Sequence, residues 1–309
     1  MVKNMKVKII SQDEREIKLL LSETTVSNVN SIRRAIMTDV PKMAISKVRF
    51  EMGVKEPDSN GERFESLSAV PDEVIAHRLA LVPIPTYFDD FVFPEDDPAN
   101  QGLPEDKWGS PASRIIYHCS VQGPGKDDEE EFRVVYAGDL NVLGDSKLQI
   151  PEHCKDIPIT VLSKGQYIEF YAYASLGRGS EHAKWSPAAG VGYYQNTKAI
   201  LHDKKAAKEI FKLKIKLNDN QILNEKIFTK DSVTDIDTVE AIRKAILHKE
   251  KNVGSVGESG IIMEDIPGEF VFHYETDGSL SPIDVFNRAC EELKVRFDSI
   301  GEQLKIALS

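Results

Sequence analysis

Leu176-Gly177-Arg178-Gly179-Ser180-Glu181-His182-Ala183-Lys184-Trp185-Ser186-Pro187 sets two glycines, four ionisable side chains, a tryptophan and a closing proline within one short stretch. So polar a run reads as a surface loop and not as a core element, because each buried charge would need a partner. Its composition is too particular for a generic linker. Trp185 has two readings, core filler or interface anchor. Beside Lys184 and before Pro187, in a glycine-bearing loop, it reads as an anchor.

Upstream of this loop, strand-like runs occupy Arg114 to Val121, Glu131 to Ala137, Ile157 to Leu162 and Tyr167 to Ala174. Residues 86–111 are rich in Asp, Glu and Pro with little periodicity, and are expected to form an exposed excursion. A short helix is expected from Pro71 to Leu81, with Pro71 at its first position and Asp72 and Glu73 at the positive end of its dipole. Gly53 to Arg63 reads as a polar loop. From Ala44 to Met52 the pattern alternates, Val48, Phe50 and Met52 against Lys47, Arg49 and Glu51, which predicts a half-buried strand. A helix is expected over Val26 to Thr38, capped by Thr25 and stopped by Pro41, with Val29, Ile32 and Ile36 as its buried stripe. Before it, Met5 to Ile10 and Glu16 to Leu21 read as a hairpin.

Downstream, residues 195–266 read as a separate insert. Ile210 to Leu217 alternates Phe211, Leu213, Ile215 and Leu217 with Lys212, Lys214 and Lys216, and is expected to be a strand. Thr238 to Lys249 reads as an amphipathic helix. Its Val239, Ile242, Arg243, Lys244, Ala245 and Ile246 echo Val29, Ile32, Arg33, Arg34, Ala35 and Ile36. Any basic amphipathic helix gives this pattern, so duplication is the weaker reading.

The ending carries a strand through Phe270, Phe272 and Tyr274, an Asp277-Gly278 turn, and a helix capped by Ser281, opened by Pro282 and followed by Asp284. Along that helix Ile283, Phe286, Cys290, Leu293, Phe297, Ile300 and Leu304 fall at alternating steps of 3 and 4. This is an unbroken a/d seam. A seam this narrow suits packing against another helix; intramolecular packing is the alternative.

The 309 residues are enough for two or three domains, and 41% are hydrophobic. A net charge of −11 argues against a free-standing DNA-binding module, yet permits an acidic subunit of a nucleic-acid machine placed away from the nucleic acid. No window is apolar enough for a membrane span and no signal-peptide pattern follows Met1, so an intracellular chain is expected. Cys119, Cys154 and Cys290 lie far apart, which excludes a disulfide framework and a four-cysteine cluster. His118-Cys119 and His153-Cys154 repeat a pair of metal-binding types, but without the short spacing of zinc knuckles, and no metal is expected. Glu73 and His77 share one helix face. With Glu181 and His182 they sketch an acid–base set for a small-molecule hydrolase. No P-loop, nucleophile elbow or H-E-x-x-H accompanies them. Arg33, Arg34 and Arg78 are solvated surface residues by default.

Four blocks in order carry a resemblance. They are Asn30 to Ile36 with Val40 to Ile45; Asp72 to Ile84; Gly179 to Pro187; and the final strand, Asp-Gly turn and Pro-initiated helix. Together they resemble the α-like subunit of archaeal and eukaryotic DNA-directed RNA polymerases, closest to the archaeal D type. The resemblance implies an α+β chain. A discontinuous dimerisation domain (antiparallel sheet plus two helices) would comprise 1–52 and 268–309. A mostly-β domain, 53–190, would be inserted in it. A ferredoxin-like insert would fill 191–267; it contains no cysteine, so no cluster and no cofactor is expected.

The same resemblance implies a non-catalytic assembly subunit. Ile283, Phe286, Cys290, Leu293, Phe297, Ile300 and Leu304 would meet a small α-like subunit, the archaeal L type. Arg33, Arg34, Glu73, His77, Arg78, Glu181, His182, Lys184 and Trp185 would face the large subunits. The heterodimer would then be a platform for a subunit of the N type and the large β-like catalytic subunit, cytoplasmic, with no direct DNA contact and no membrane. The bacterial α subunits, which self-pair, supply a homodimeric alternative.

Overall fold

The computed structural model describes residues 4–308 apart from 56–60, 67–68, 213, 215, 217–221, 230 and 254–259. The chain begins with β1 (Lys6–Gln12) and β2 (Glu16–Ser22), joined by a turn that the Asp13 amide closes on the Glu16 carbonyl at 2.9 Å. Helix α1 (Val26–Thr38) starts where the Thr25 hydroxyl accepts from the Asn28 amide at 3.4 Å. Strand β3 (Pro41–Phe50) follows, then α2 (Asp72–Ala80), β4 (Ile115–Gln122), β5 (Phe132–Tyr136), β6 (Asn141–Val142), β7 (Pro158–Ser163) and β8 (Tyr167–Arg178). Strand β9 (Ala188–Leu201), α3 (Lys204–Phe211), β10 (Ser232–Val233), α4 (Ile236–Val253), β11 (Ile261–Thr276) and α5 (Pro282–Leu308) complete the chain.

These elements divide into two compact units. One comprises residues 1–11, 18–29 and 192–273. It holds a five-stranded sheet in the order β1-β2-β11-β9-β10, with α3 and α4 packed over a core that includes Leu201, Ile210, Val239, Ile242 and Ile261. Glu240 on α4 pairs with Lys18 of β2 at 2.9 Å, and Arg243 donates to the Thr197 hydroxyl of β9 at 2.7 Å.

The other unit comprises residues 12–17, 30–191 and 274–309. Its four-stranded sheet runs β3-β8-β4-β6, and β5 pairs with β7 apart from it. The β3–β8 pairing is antiparallel from Pro41↔Arg178 to Phe50↔Phe170, with an irregularity between Ile45 and Lys47. Before that break every residue of β3 is buried; after it the two faces alternate. The core gathers Met43, Ile45, Leu79, Tyr117 and Phe170. The pairings of β3 with β8, β4 with β6 and β8, β5 with β7 and β9 with β10 are antiparallel, and the chain is of mixed α+β class.

Several expectations need correction. Strand β8 runs on to Arg178, so Leu176 and Gly177 are buried strand residues and the polar loop begins only after them. Pro71 caps α2 from outside instead of opening it, and Pro41 is the first residue of β3. Met52 lies beyond β3 and is exposed. The long strand β9 goes beyond what the sequence pattern predicts, and β11 begins well ahead of Phe270. Ile210 and Phe211 end a helix and Lys212 caps it, in place of a strand; Leu213, Ile215 and Leu217 lie outside the described residues. Asp203 starts that helix by accepting from the Lys205 and Ala206 amides at 2.7 and 3.3 Å.

Residues 86–111 are not simply exposed. Asp97 is only 2% exposed, and Phe91 and Asn100 are buried as well. The Asp97 carboxylate accepts from the Ala99 amide at 2.9 Å and from the Ser110 hydroxyl. Asn100 donates to the Pro94 carbonyl at 2.7 Å and accepts from the Gly109 amide at 3.1 Å. Polar side chains here take the place of a hydrophobic core by satisfying backbone groups. Asp97→Ala is therefore expected to free the segment, seen as faster proteolytic nicking within 86–111 at neutral pH. Hydrogen bonds from Ser110, then Ser113 and the Ala99 amide, hold the Asp97 carboxyl below the usual range. Its contribution is thus present above the unfolded aspartate value of about 3.9 and disappears as pH falls through the folded value. Wild type and variant should converge only in strong acid.

Candidate subunit interface

Among the described residues helix α5 carries more exposed large apolar side chains than any other element, and its root is held tightly. Asp277 accepts from the Ser279 amide and hydroxyl at 3.0 and 2.6 Å, and its own amide donates to the Pro187 carbonyl at 3.1 Å. Its second carboxylate oxygen takes the ammonium of Lys42, a side chain only 3% exposed. Gly278 has φ +95°, and a Cβ there would collide with the His153 ring, so the position requires glycine. Ser281 then caps the helix by accepting from the Asp284 amide at 3.2 Å, while its hydroxyl donates to Asp284 at 2.6 Å.

The faces of α5 change along its length. Pro282, Val285 and Ala289 are buried, and no described residue after Ala289 is buried. The seam residues Phe286, Cys290 and Leu293 are half-buried, and Ile283 is exposed. Burial pushes the Cys290 thiol above its ordinary pKa. Phe297, Ile300 and Leu304 stand 66%, 55% and 57% exposed. The seam is therefore part covered and part open, the open part lying toward the C-terminal end.

The second set of residues is spread over α1, α2 and the loop after β8. Arg33 donates to Asn30 Oδ1 at 3.0 Å and to Met37 Sδ at 3.4 Å, both on its own helix, while Arg34 is exposed. Arg78 donates to the Ile159 carbonyl at 2.9 Å. Glu73 and His77 are exposed on α2, and among the described residues no hydrogen bond or ion pair joins them to each other or to His182. The arrangement gives no assembled acid–base set. Glu181 and His182 are exposed, and His182 Nδ1 accepts from the Lys184 amide at 3.1 Å. The Lys184 ammonium lies 4.2 Å from the centre of the Trp185 ring, and burial lowers its pKa. Trp185 itself is half-buried, packs on Gly177 and donates to the Ser175 carbonyl at 3.1 Å. Glu181 and Trp185 also line a recess of about 480 Å³ with Trp108, Arg114 and Tyr173, residues that no pattern in the sequence marks.

The cysteine–histidine pairs do different work. His118 lies 3.2 Å from Glu169 and stacks near Tyr171, whereas Cys119 is fully buried. Desolvation pushes the Cys119 thiol up to about 12, so it is protonated and inert at neutral pH. Cys154 is buried with its thiol likewise raised, while His153 lies 4.0 Å from Glu14. Among the described residues no group of three or more His, Cys, Asp or Glu is placed to hold a metal ion.

Comparison with known proteins adds a family. The family described as RNA polymerase Rpb3/Rpb11 dimerisation domain matches residues 18–297. The chain is 32% identical over 302 residues to the DNA-directed RNA polymerase subunit Rpo3 of Thermococcus kodakarensis, covering 97% of this chain and 98% of that one. It is 30% identical over 303 residues to the protein of the same name from Pyrococcus horikoshii, with 97% and 98% covered. Identity to that from Picrophilus torridus is 29% over 307 residues, with 96% and 98% covered.

The packing of Trp185 on Gly177 leaves no room for a methyl group. Gly177→Ala should displace the indole and destabilise the unit by about 1–3 kcal/mol. In a Trp108→Phe background, which leaves Trp185 as the sole tryptophan, the variant's emission should shift to the red.

Proposed function

The chain belongs to the RNA polymerase Rpb3/Rpb11 dimerisation-domain family, and from that membership we propose how its surfaces divide the work of assembly. It is an assembly subunit of a DNA-directed RNA polymerase, catalyses nothing itself, and partners within the enzyme with a small α-like subunit. In our reading the discontinuous part, 1–52 and 268–309, is the pairing domain, 53–190 is the inserted mostly-β domain and 191–267 is a ferredoxin-like insert without a cluster. The small partner, of the archaeal L type, lies along the a/d seam of α5. One observation carries this assignment: Phe297, Ile300 and Leu304 present open apolar surface in helical register. Covering them stabilises the pair by about 1.5–3 kcal/mol for each side chain fully buried.

Arg33, Arg34, Glu73, His77, Arg78 and the Glu181–Trp185 loop then face the large β-like subunit, where a guanidinium serves carboxylates and backbone carbonyls alike, and a subunit of the N type joins the same platform. The net charge of −11 accords with a place away from DNA. The complex is cytoplasmic in this reading; among the described residues no helix is long and apolar enough to cross a membrane.

Phe297→Glu sets a charge in the middle of the seam, where pairing would have to bury it. Tagged full-length chain is expected to co-purify with one small α-like subunit, and the variant is expected to lose it. Normal recovery of the partner with Phe297→Glu would overturn the seam, and recovery of the wild-type chain as a homodimer would favour the bacterial-type arrangement.

A further inference from the structure

Among the described residues, the buried side chains and the ion pairs of helix α5 lie between Pro282 and Arg296. It has 27 residues, so at 1.5 Å per residue it is about 40 Å long. Its buried side chains stop at Ala289. The stretch from Phe297 to Leu308 therefore extends roughly 18 Å beyond the last ion-paired turn. A tilt of about 10° at the root of such a lever moves its tip by roughly 3 Å, enough to take knobs out of their holes. Something at the fulcrum has to fix its direction.

The fulcrum is polar. Arg178, at the last position of β8, donates one nitrogen to the Asp39 carbonyl just past α1 and to Glu292 of α5 at 2.8 Å. The Asp39 carboxylate, itself buried, takes Arg296 of α5 at 2.8 Å. Glu292 also pairs with Arg288 at 3.0 Å, its own side chain half-buried. Residues of the 86–111 segment brace both guanidiniums: Arg178 lies over the Phe93 ring at 4.8 Å, and Arg288 over Phe88 at 5.1 Å. Three separate stretches of this unit thus converge on the two turns of α5 from Arg288 to Arg296, where apolar burial ends.

We propose that Arg178, Asp39 and Glu292 form a clasp that sets the direction of α5 for pairing, and that the 86–111 segment acts as its brace. Arg178 and Asp39 are positioning residues: neither lies on the seam. The proposal rests on the seam reading above and deepens it. It also gives the arginine of the Gly177-Arg178-Gly179 motif a purpose. A planar fork able to serve a carbonyl, a carboxylate and an aromatic face at once is what this site needs, and lysine supplies it poorly.

The test is a double-mutant cycle on the purified pair of full-length chain and small α-like subunit, read as the rate of exchange with labelled small subunit. Arg178→Met and Glu292→Gln should each speed exchange about tenfold, the range of a lost charge-assisted hydrogen bond. The double variant should be no faster than either single, because the two act as one unit. The thermal midpoint of each variant chain is recorded alongside: a general loss of structure lowers it in proportion to exchange, whereas loss of aim speeds exchange with little change in midpoint. Phe297→Glu is run beside them. If it fails to pair while both clasp variants exchange at the wild-type rate, or add independently in the double, the clasp is wrong and the seam stands. If Phe297→Glu pairs and exchanges normally, the seam itself is wrong and the clasp falls with it.

Discussion

Helix α5 carries more apolar surface than the described residues cover, and the contacts at its root answer to that constraint. Beyond Ala289 the helix offers Val295, Phe297, Ile300, Leu304, Ile306 and Leu308 with large exposed fractions. A patch of that kind on a lone protein invites association. The remedy is a second surface, supplied by a partner, and a root stiff enough to present the helix to it. At the root, the turn before α5 is pinned by the Lys42–Asp277 pair and by the Asp277 amide on Pro187. Removing either member of such a pair would leave the other charge without its counterpart, Lys42 in a nearly dry site, which is why partly buried pairs of this kind act as strong locators.

The fold was legible wherever local chemistry decides it. Thr25, Ser281 and Pro282 announce helix starts because capping is an interaction among neighbours in sequence, and the stripe Val29, Ile32, Ile36 follows from helical geometry alone. It was illegible where tertiary context overrides pattern. The residues from Phe211 onward alternate with lysines as a strand would, yet Asp203 caps a helix whose buried Ala207 and Ile210 end at that point. Strand β9 passes through Gly190 and Gly192, weak strand formers, so its strand character comes from the partners beside it. The 86–111 segment looked solvated because its residues are polar; Asp97 and Asn100 are buried because they bond backbone within that same segment.

The candidate interface divides the same way. The seam's spacing is a property of one helix and could be counted. How far it is covered could not: Phe286, Cys290 and Leu293 are half-buried, whereas Phe297, Ile300 and Leu304 at the same spacing are exposed. Trp185 turned out to be half-buried with its indole N–H directed inward, a compromise between the two readings that its neighbours in sequence offered. Arg178 stood in the most informative stretch of the chain, but its partners Asp39 and Glu292 are separated from it by 139 and 114 residues. No local signal marks a contact of that range.

Hydrogen exchange on the chain, alone and paired with its small α-like subunit, tests the central claim most directly. Backbone amides from Leu293 to Leu308 should be weakly protected in the free chain, where no described residue of that stretch is buried, and strongly protected in the pair. If the protection gained on pairing falls on other elements and leaves that stretch unchanged, α5 is not the pairing helix and the account fails at its root.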